Sequence, residues 1–312
     1  MLSRRLLRIK ALKALYAHLQ CDGDNLIASQ KKLFESIDKS YDLYFLLLKL
    51  PVLMADMERK RQRVAKEKHL ATYEDLNPNT RFVDSPLVHL LSTSDSVNDY
   101  ISSRKLAWGD NDELVKSLFA QLSESEKFKS YMASDSSSIK DDIELMEYFY
   151  VEILQNNEEV ESVIEERSIL MSGDLRFVLP LVIRTLSGIK PSHTNVKVVK
   201  KFKNDDDMNF VKELFQKALV NYGEYQKYIE RFTSNWDLER IVYIDSLIMV
   251  VAMSEFIGFS DIPTKVTMDE FIEISKDYST ASSSLFVNGI LDKVLGSLQD
   301  DGRINKSGRG LM

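Results

Sequence analysis

Turn-forming residues are scarce in this chain. Its 312 residues include only 11 Gly and 6 Pro, whereas a sheet protein of this length would normally use more for its tight turns. Leu, Glu, Lys and Ile are plentiful, and most of these favour helix. Apolar residues also recur at helical spacing. Leu6, Ile9, Leu12, Tyr16 and Leu19 form one stripe and predict a first helix over 3–20. A second helical pattern runs over 27–70, where Pro51 is expected to kink or break it. Asn77-Pro78-Asn79 and Ser85-Pro86 mark a loop over 72–86. Shorter helices are expected over 86–107 and 111–132, followed by a serine-rich linker at 134–138. The valines of 190–204 (Val196, Val198, Val199) would suit an extended conformation, two strands at most. Asp205-Asp206-Asp207 opens the next helix, and the sequence stays helical to about 298. Between Trp236 and Ile257 the pattern is apolar nearly all round, as in the central helix of a bundle. Gly258 is its expected C-cap. The fold class this predicts is all-α.

Composition excludes several functions. Cys21 is the only cysteine, so no intrachain disulfide and no multi-cysteine zinc site can form. His18, His69, His89 and His193 are scattered without HExxH spacing, and no phosphate-binding glycine loop is present. No metal, cofactor or catalytic set is expected, and the chain does not read as an enzyme. Arg8, Lys10 and Lys13 interrupt the apolar residues near Met1, so no secretory signal forms. No uncharged apolar run approaches the ~18 residues of a membrane span. A cytoplasmic protein is expected.

The net charge of −7 argues against nucleic acid until its distribution is considered. Residues 135–174 hold twelve acids and two bases, a balance of −10, which leaves +3 on the remainder. Two stretches are basic. One is the first helix, with Arg4, Arg5, Arg8, Lys10 and Lys13 and no acid within 1–20. The other runs from Arg59 to Lys68. Arginines at a helix start oppose the dipole at roughly 0.3–1 kcal/mol each when exposed. A bound polyanion would offset that cost, although a solvated cationic face is the commoner explanation of a short basic run. Near the other end, Phe286 opens a helix after a polar turn, where an aromatic can stack on an unpaired base or fill a core. Gly289 is expected to allow a close helix contact.

These two ends carry a resemblance. Arg4-Arg5-x-x-Arg8 followed by Ala14-Leu15-Tyr16 resembles the first helix of the NusB family of transcription antitermination factors. Phe210 to Leu214, Asp261-Ile262-Pro263-x-Lys265-Val266, Asp269-Glu270-x-Ile272-Glu273-x-x-Lys276 and Phe286 to Lys293 resemble its later helices, in the same order. The resemblance implies a non-enzymatic helical bundle that binds boxA-like single-stranded RNA of ribosomal RNA transcripts. It also implies a NusE-like small-subunit ribosomal protein as partner and, indirectly, transcribing RNA polymerase. By this reading Arg4, Arg5, Arg8, Lys10, Lys13, Ser283 and Phe286 meet RNA, and Tyr16 and Glu239 face the partner. Leu6 stands where the family has a further arginine. Ser282-Ser283-Ser284-Leu285 replaces an Asp-Ser-His-Lys turn. The expected organisation is 1–20 and 207–298 as the family bundle, 21–206 as a helical insertion, and 299–312 as a flexible tail. A helical protein scaffold without RNA binding, or an appendage of an rRNA-modifying system, are the alternative functions.

Overall fold

The computed structural model describes residues 1–21, 25–109, 111–134, 138–233, 242–280 and 283–311. Among them there is no strand, and the all-α expectation holds. The chain divides into two compact units. The terminal unit comprises Ser3–Ile37 with Phe202–Met312, and the inserted unit comprises Met1–Leu2 with Asp38–Lys201.

The terminal unit contains α1 (Arg4–Gln20) and the start of α2 (Leu26–Lys66). Helices α11 (Asp205–Val220), α12 (Tyr222–Thr233), α13 (Tyr243–Gly258), α14 (Thr264–Tyr278) and α15 (Ser283–Asp300) complete it. Ser3 caps α1 by accepting the Leu6 N–H at 3.2 Å, which satisfies one of the orphan donors of the first turn. Helix α13 is buried from Leu247 through Phe256 and packs against α1, α11, α12, α14 and α15. Its all-round apolar pattern marks it as the central helix. Each fully buried Val, Leu, Ile or Met on it contributes about 1.5–3 kcal/mol.

Two expectations here are corrected. Gly258 is the last helical residue and does not form a left-handed cap; a Cβ there would lie 2.5 Å from Lys217 Cδ. The segment after α15 is not loose. Lys306 Nζ donates to the Phe259 carbonyl at 2.8 Å, and the Ser307 N–H donates to the Ser260 carbonyl at 2.9 Å. Gly310 sits so close that a Cβ would fall 1.9 Å from the Ser260 oxygen.

The inserted unit holds the rest of α2, then α3 (Tyr73–Leu76), α4 (Pro86–Thr93), α5 (Asp95–Arg104) and α6 (Asp112–Glu124). It continues with α7 (Glu126–Ala133), α8 (Ile139–Tyr148), α9 (Glu158–Arg167) and α10 (Leu175–Ser187). Pro51 does not break α2, which runs for 41 residues. Proline removes the N–H that would bind the Leu47 carbonyl. The buried Tyr150 hydroxyl donates to that carbonyl at 2.7 Å, and Trp108 Nε1 donates to the neighbouring Leu46 carbonyl at 2.9 Å. Tyr150 is placed by a π-helical segment, Phe149–Leu154, that follows α8. The valine-rich stretch before α11 is pinned by side chains instead of a sheet. Tyr41 donates to the Val199 carbonyl at 2.6 Å, Tyr44 accepts the Val199 N–H at 3.2 Å, and Ser94 accepts the Val196 N–H at 3.1 Å.

Candidate nucleic-acid interface

The N-terminal end of α1 has no acid of its own, but the fold supplies three. Arg4 Nε donates to Asp207 Oδ1 on α11 at 3.0 Å, and its guanidinium lies 4.9 Å from the Phe210 ring centre. Arg5 grips Glu270 on α14 with two bonds, Nε at 2.9 Å and Nη2 at 3.0 Å. Those bonds hold the Arg5 guanidinium above its ordinary pKa, against the opposing effect of burial. Arg8 goes deepest. Its Nε and Nη2 donate to the two oxygens of Glu255 on α13 at 2.7 and 2.8 Å. Both side chains are inside, at 3% and 0% exposure. Thr267 completes the site by donating to Glu255 Oε1 at 2.8 Å, and Arg8 Nη1 lies 3.4 Å from Glu270.

This geometry corrects the cationic set. Arg8 is a buried tie between α1 and α13, and Lys10 is only 1% exposed. Neither side chain is open to a phosphate in this fold. The dipole cost at the start of α1 is offset internally, by Asp207 and Glu270, so it does not by itself call for an external polyanion. Arg4 and Arg5 remain partly open, each with 36% of its side chain exposed. Among the described residues Arg4 uses only Nε on its carboxylate, which leaves both terminal nitrogens for a ligand. Lys13 is partly exposed, with Nζ 5.2 Å from the Tyr278 ring centre.

The turn before α15 differs from expectation as well. Ser283 is buried, and its hydroxyl bonds Ser279 Oγ at 2.8 Å and Thr280 Oγ1 at 2.7 Å. It ties the turn together and is not presented to a ligand. Val287, Ile290, Leu291, Val294 and Leu298 form the buried stripe of α15. Phe286 lies partly exposed beside it, next to the open Leu285. Gly289 makes no close helix contact, since a Cβ there would meet nothing within 4 Å. Asn288 and Gly289 are both exposed.

Tyr16 is 44% exposed, on a different face of α1 from the buried Arg8. Its ring lies 5.9 Å from that of Tyr243, itself 38% exposed. Burial, with a hydrogen bond to Tyr243, pushes the Tyr222 hydroxyl up to about 12. Tyr16, Tyr243 and Tyr222 therefore make a small aromatic surface that sequence reasoning reduced to Tyr16. Nothing in the spacing of the three announces it; only the packing of α1 and α12 near the start of α13 does. Glu239 lies outside the described residues. Among the described residues no group of His, Cys, Asp and Glu has metal-site geometry, and no helix is long and apolar enough to cross a membrane.

Known proteins resemble part of this chain. The NusB family model matches residues 184–296. A transcription antitermination protein NusB from Salinibacter ruber is 43% identical over 104 residues, 33% of this chain and 65% of that protein. One from Chloroherpeton thalassium is 38% identical over 104 residues, covering 49% of its length. One from Natranaerobius thermophilus is 35% identical over 95 residues, covering 30% of this chain and 68% of that protein. The chain belongs to the NusB family. It spans less than two thirds of the length of the first two relatives, and the NusB match stops short of α1 and of most of the inserted unit. A solved structure of T. maritima NusB matches 38% of this chain and 75% of its own at 26% identity, with a TM-score of 0.29.

Proposed function

We propose that this chain is a non-enzymatic antitermination factor that binds boxA-like single-stranded RNA of ribosomal RNA transcripts together with a NusE-like ribosomal protein. The observation that carries this reading is the NusB match over 184–296 in a unit where α1 packs on α11 and α13 with Arg4 and Arg5 at its open end. Arg4 and Arg5 meet phosphates, held side-on by Asp207 and Glu270. Lys13 adds charge, and Phe286 offers a ring for an unstacked base. Tyr16 and its tyrosine neighbours face the protein partner, with Glu239 a further partner residue by family resemblance. The mechanism is scaffolding: RNA and partner are held on one bundle, which reaches RNA polymerase through the complex. The NusB-like part of the chain acts in the cytoplasm beside the transcript and needs no cofactor.

A gel-shift assay with a boxA-like strand, with and without the NusE-like protein, tests the reading. Binding that strengthens with the partner supports it. A chain that binds the partner but never shifts the RNA is a protein scaffold instead.

A further inference from the structure

The run from Arg59 to Lys68 plays no part in the function proposed for the terminal unit. Arg59 to Lys66 occupy the last turns of α2, and Lys68 lies just past its end, inside the inserted unit. The six bases of the run divide into two sets. Arg59 pairs with Asp56 at 2.7 Å, Arg61 with Glu58 at 2.7 Å, and Lys68 with Asp75 at 3.0 Å. Lys60, Arg63 and Lys66 are exposed and, among the described residues, have no carboxylate partner. Spacing by three puts them on successive turns, about 4.5 Å apart along the axis. Glu67 is the only acid within the run.

The helix dipole accounts for cations in the last turn, here Arg63 and Lys66. Lys60 lies further back and gains little from it. The next helix carries an exposed aromatic. Tyr73 is 81% exposed on α3, which the Lys68–Asp75 ion pair and a Thr72–Asp75 capping box fix next to the end of α2. Lys60 also lines a groove of about 1090 Å³, together with Phe82, Phe119 and Phe128.

We infer that this face of the inserted unit is a second, sequence-tolerant binding surface for single-stranded RNA. Three unneutralised cations winding along the end of α2 suit a flexible polymer of phosphates, and an open ring on the next helix suits a base. An acidic protein segment would meet the same charges but would have no particular use for Tyr73. The inference does not depend on RNA binding by the arginines of α1.

The test uses the full chain and a fluorescent uridine homopolymer that lacks any boxA-like element, titrated at several salt concentrations. The triple variant K60Q/R63Q/K66Q is expected to bind less well and to lower the salt slope by about 2, at roughly 0.7 per phosphate contact on a single strand. Tyr73→Ala is expected to weaken binding roughly tenfold with the slope unchanged. The triple substitution should weaken homopolymer binding by the same factor in an Arg4→Gln/Arg5→Gln background as in the parent chain, which separates this surface from the α1 end. Homopolymer affinity and slope that survive the triple substitution overturn the inference. So does competition by polyglutamate as effective as that of RNA of equal charge, which would make the surface a dock for acidic protein.

Discussion

Two basic stretches in this chain look alike in sequence and differ in the fold. Residues 1–20 hold five bases and no acid, and 59–68 hold six bases and one acid. Each carries a net +5, yet the first is the more neutralised. Arg4, Arg5 and Arg8 take Asp207, Glu270 and Glu255 from positions more than 200 residues away. The second keeps Lys60, Arg63 and Lys66 open to water. A run of like charge therefore states what the helix carries and not what the surface shows. A helix packed into a bundle collects counter-charges from its neighbours, because an unpaired buried cation is too costly. A helix end facing water needs none.

The largest test of this contrast is Arg8→Ala. It leaves Glu255 buried and unpaired and should cost about 3–5 kcal/mol, read as a lower denaturant midpoint. Charge reversal at Arg8 should unfold the unit for the same reason, so that residue cannot report on an RNA face. The pair R8M/E255M should recover most of the loss; if it does not, the tie does more than neutralise charge.

Tyr150→Phe comes next. It strips the donor from the carbonyl that Pro51 orphaned and should cost about 1–3 kcal/mol. In a Pro51→Ala background, where the helix regains its own N–H, the cost should shrink. An equal cost in both backgrounds would show that Tyr150 acts by packing alone.

Glu270→Gln probes a pair that is partly exposed, at 36% and 22%. Its stability cost should stay within about 1 kcal/mol. Because it frees Arg5 from a carboxylate, the salt dependence of boxA-like RNA binding should steepen. The smallest effect belongs to K60Q/R63Q/K66Q, whose thermal unfolding should stay within about 0.5 kcal/mol of the parent. A large loss there would mean that α2 relies on these cations internally.

Much of the fold was legible. The stripe of α1 gave its limits within a residue, because a terminal amphipathic helix is read directly from its spacing. The all-round apolar pattern of α13 identified the central helix for the same reason, although residues 234–241 lie outside the described set. Pro51 misled because the compensation comes from Trp108 and Tyr150, about 60 and 100 residues further along the chain. The valines of 196–199 misled because side chains, not a strand, satisfy their backbone. At the candidate site the residue types were visible, but burial was not. Arg8 and Lys10 belong to the same basic run as Arg4 and Arg5, yet they point inward. Ser283 has the chemistry of a ligand contact and spends it on Ser279 and Thr280. Tyr243 and Tyr222 became part of a surface only when the fold brought them near Tyr16.

The central claim is that the open end of α1 binds RNA through the two arginines that remain accessible. The direct measurement is the affinity of the chain, with its NusE-like partner present, for a boxA-like strand across a salt series, with and without Arg4→Gln and Arg5→Gln. The account predicts weaker binding and a salt slope lower by about 1.4, at roughly 0.7 for each lost phosphate contact, with partner binding and unfolding midpoint preserved. Unchanged RNA affinity and slope in a folded, partner-competent double variant would contradict it.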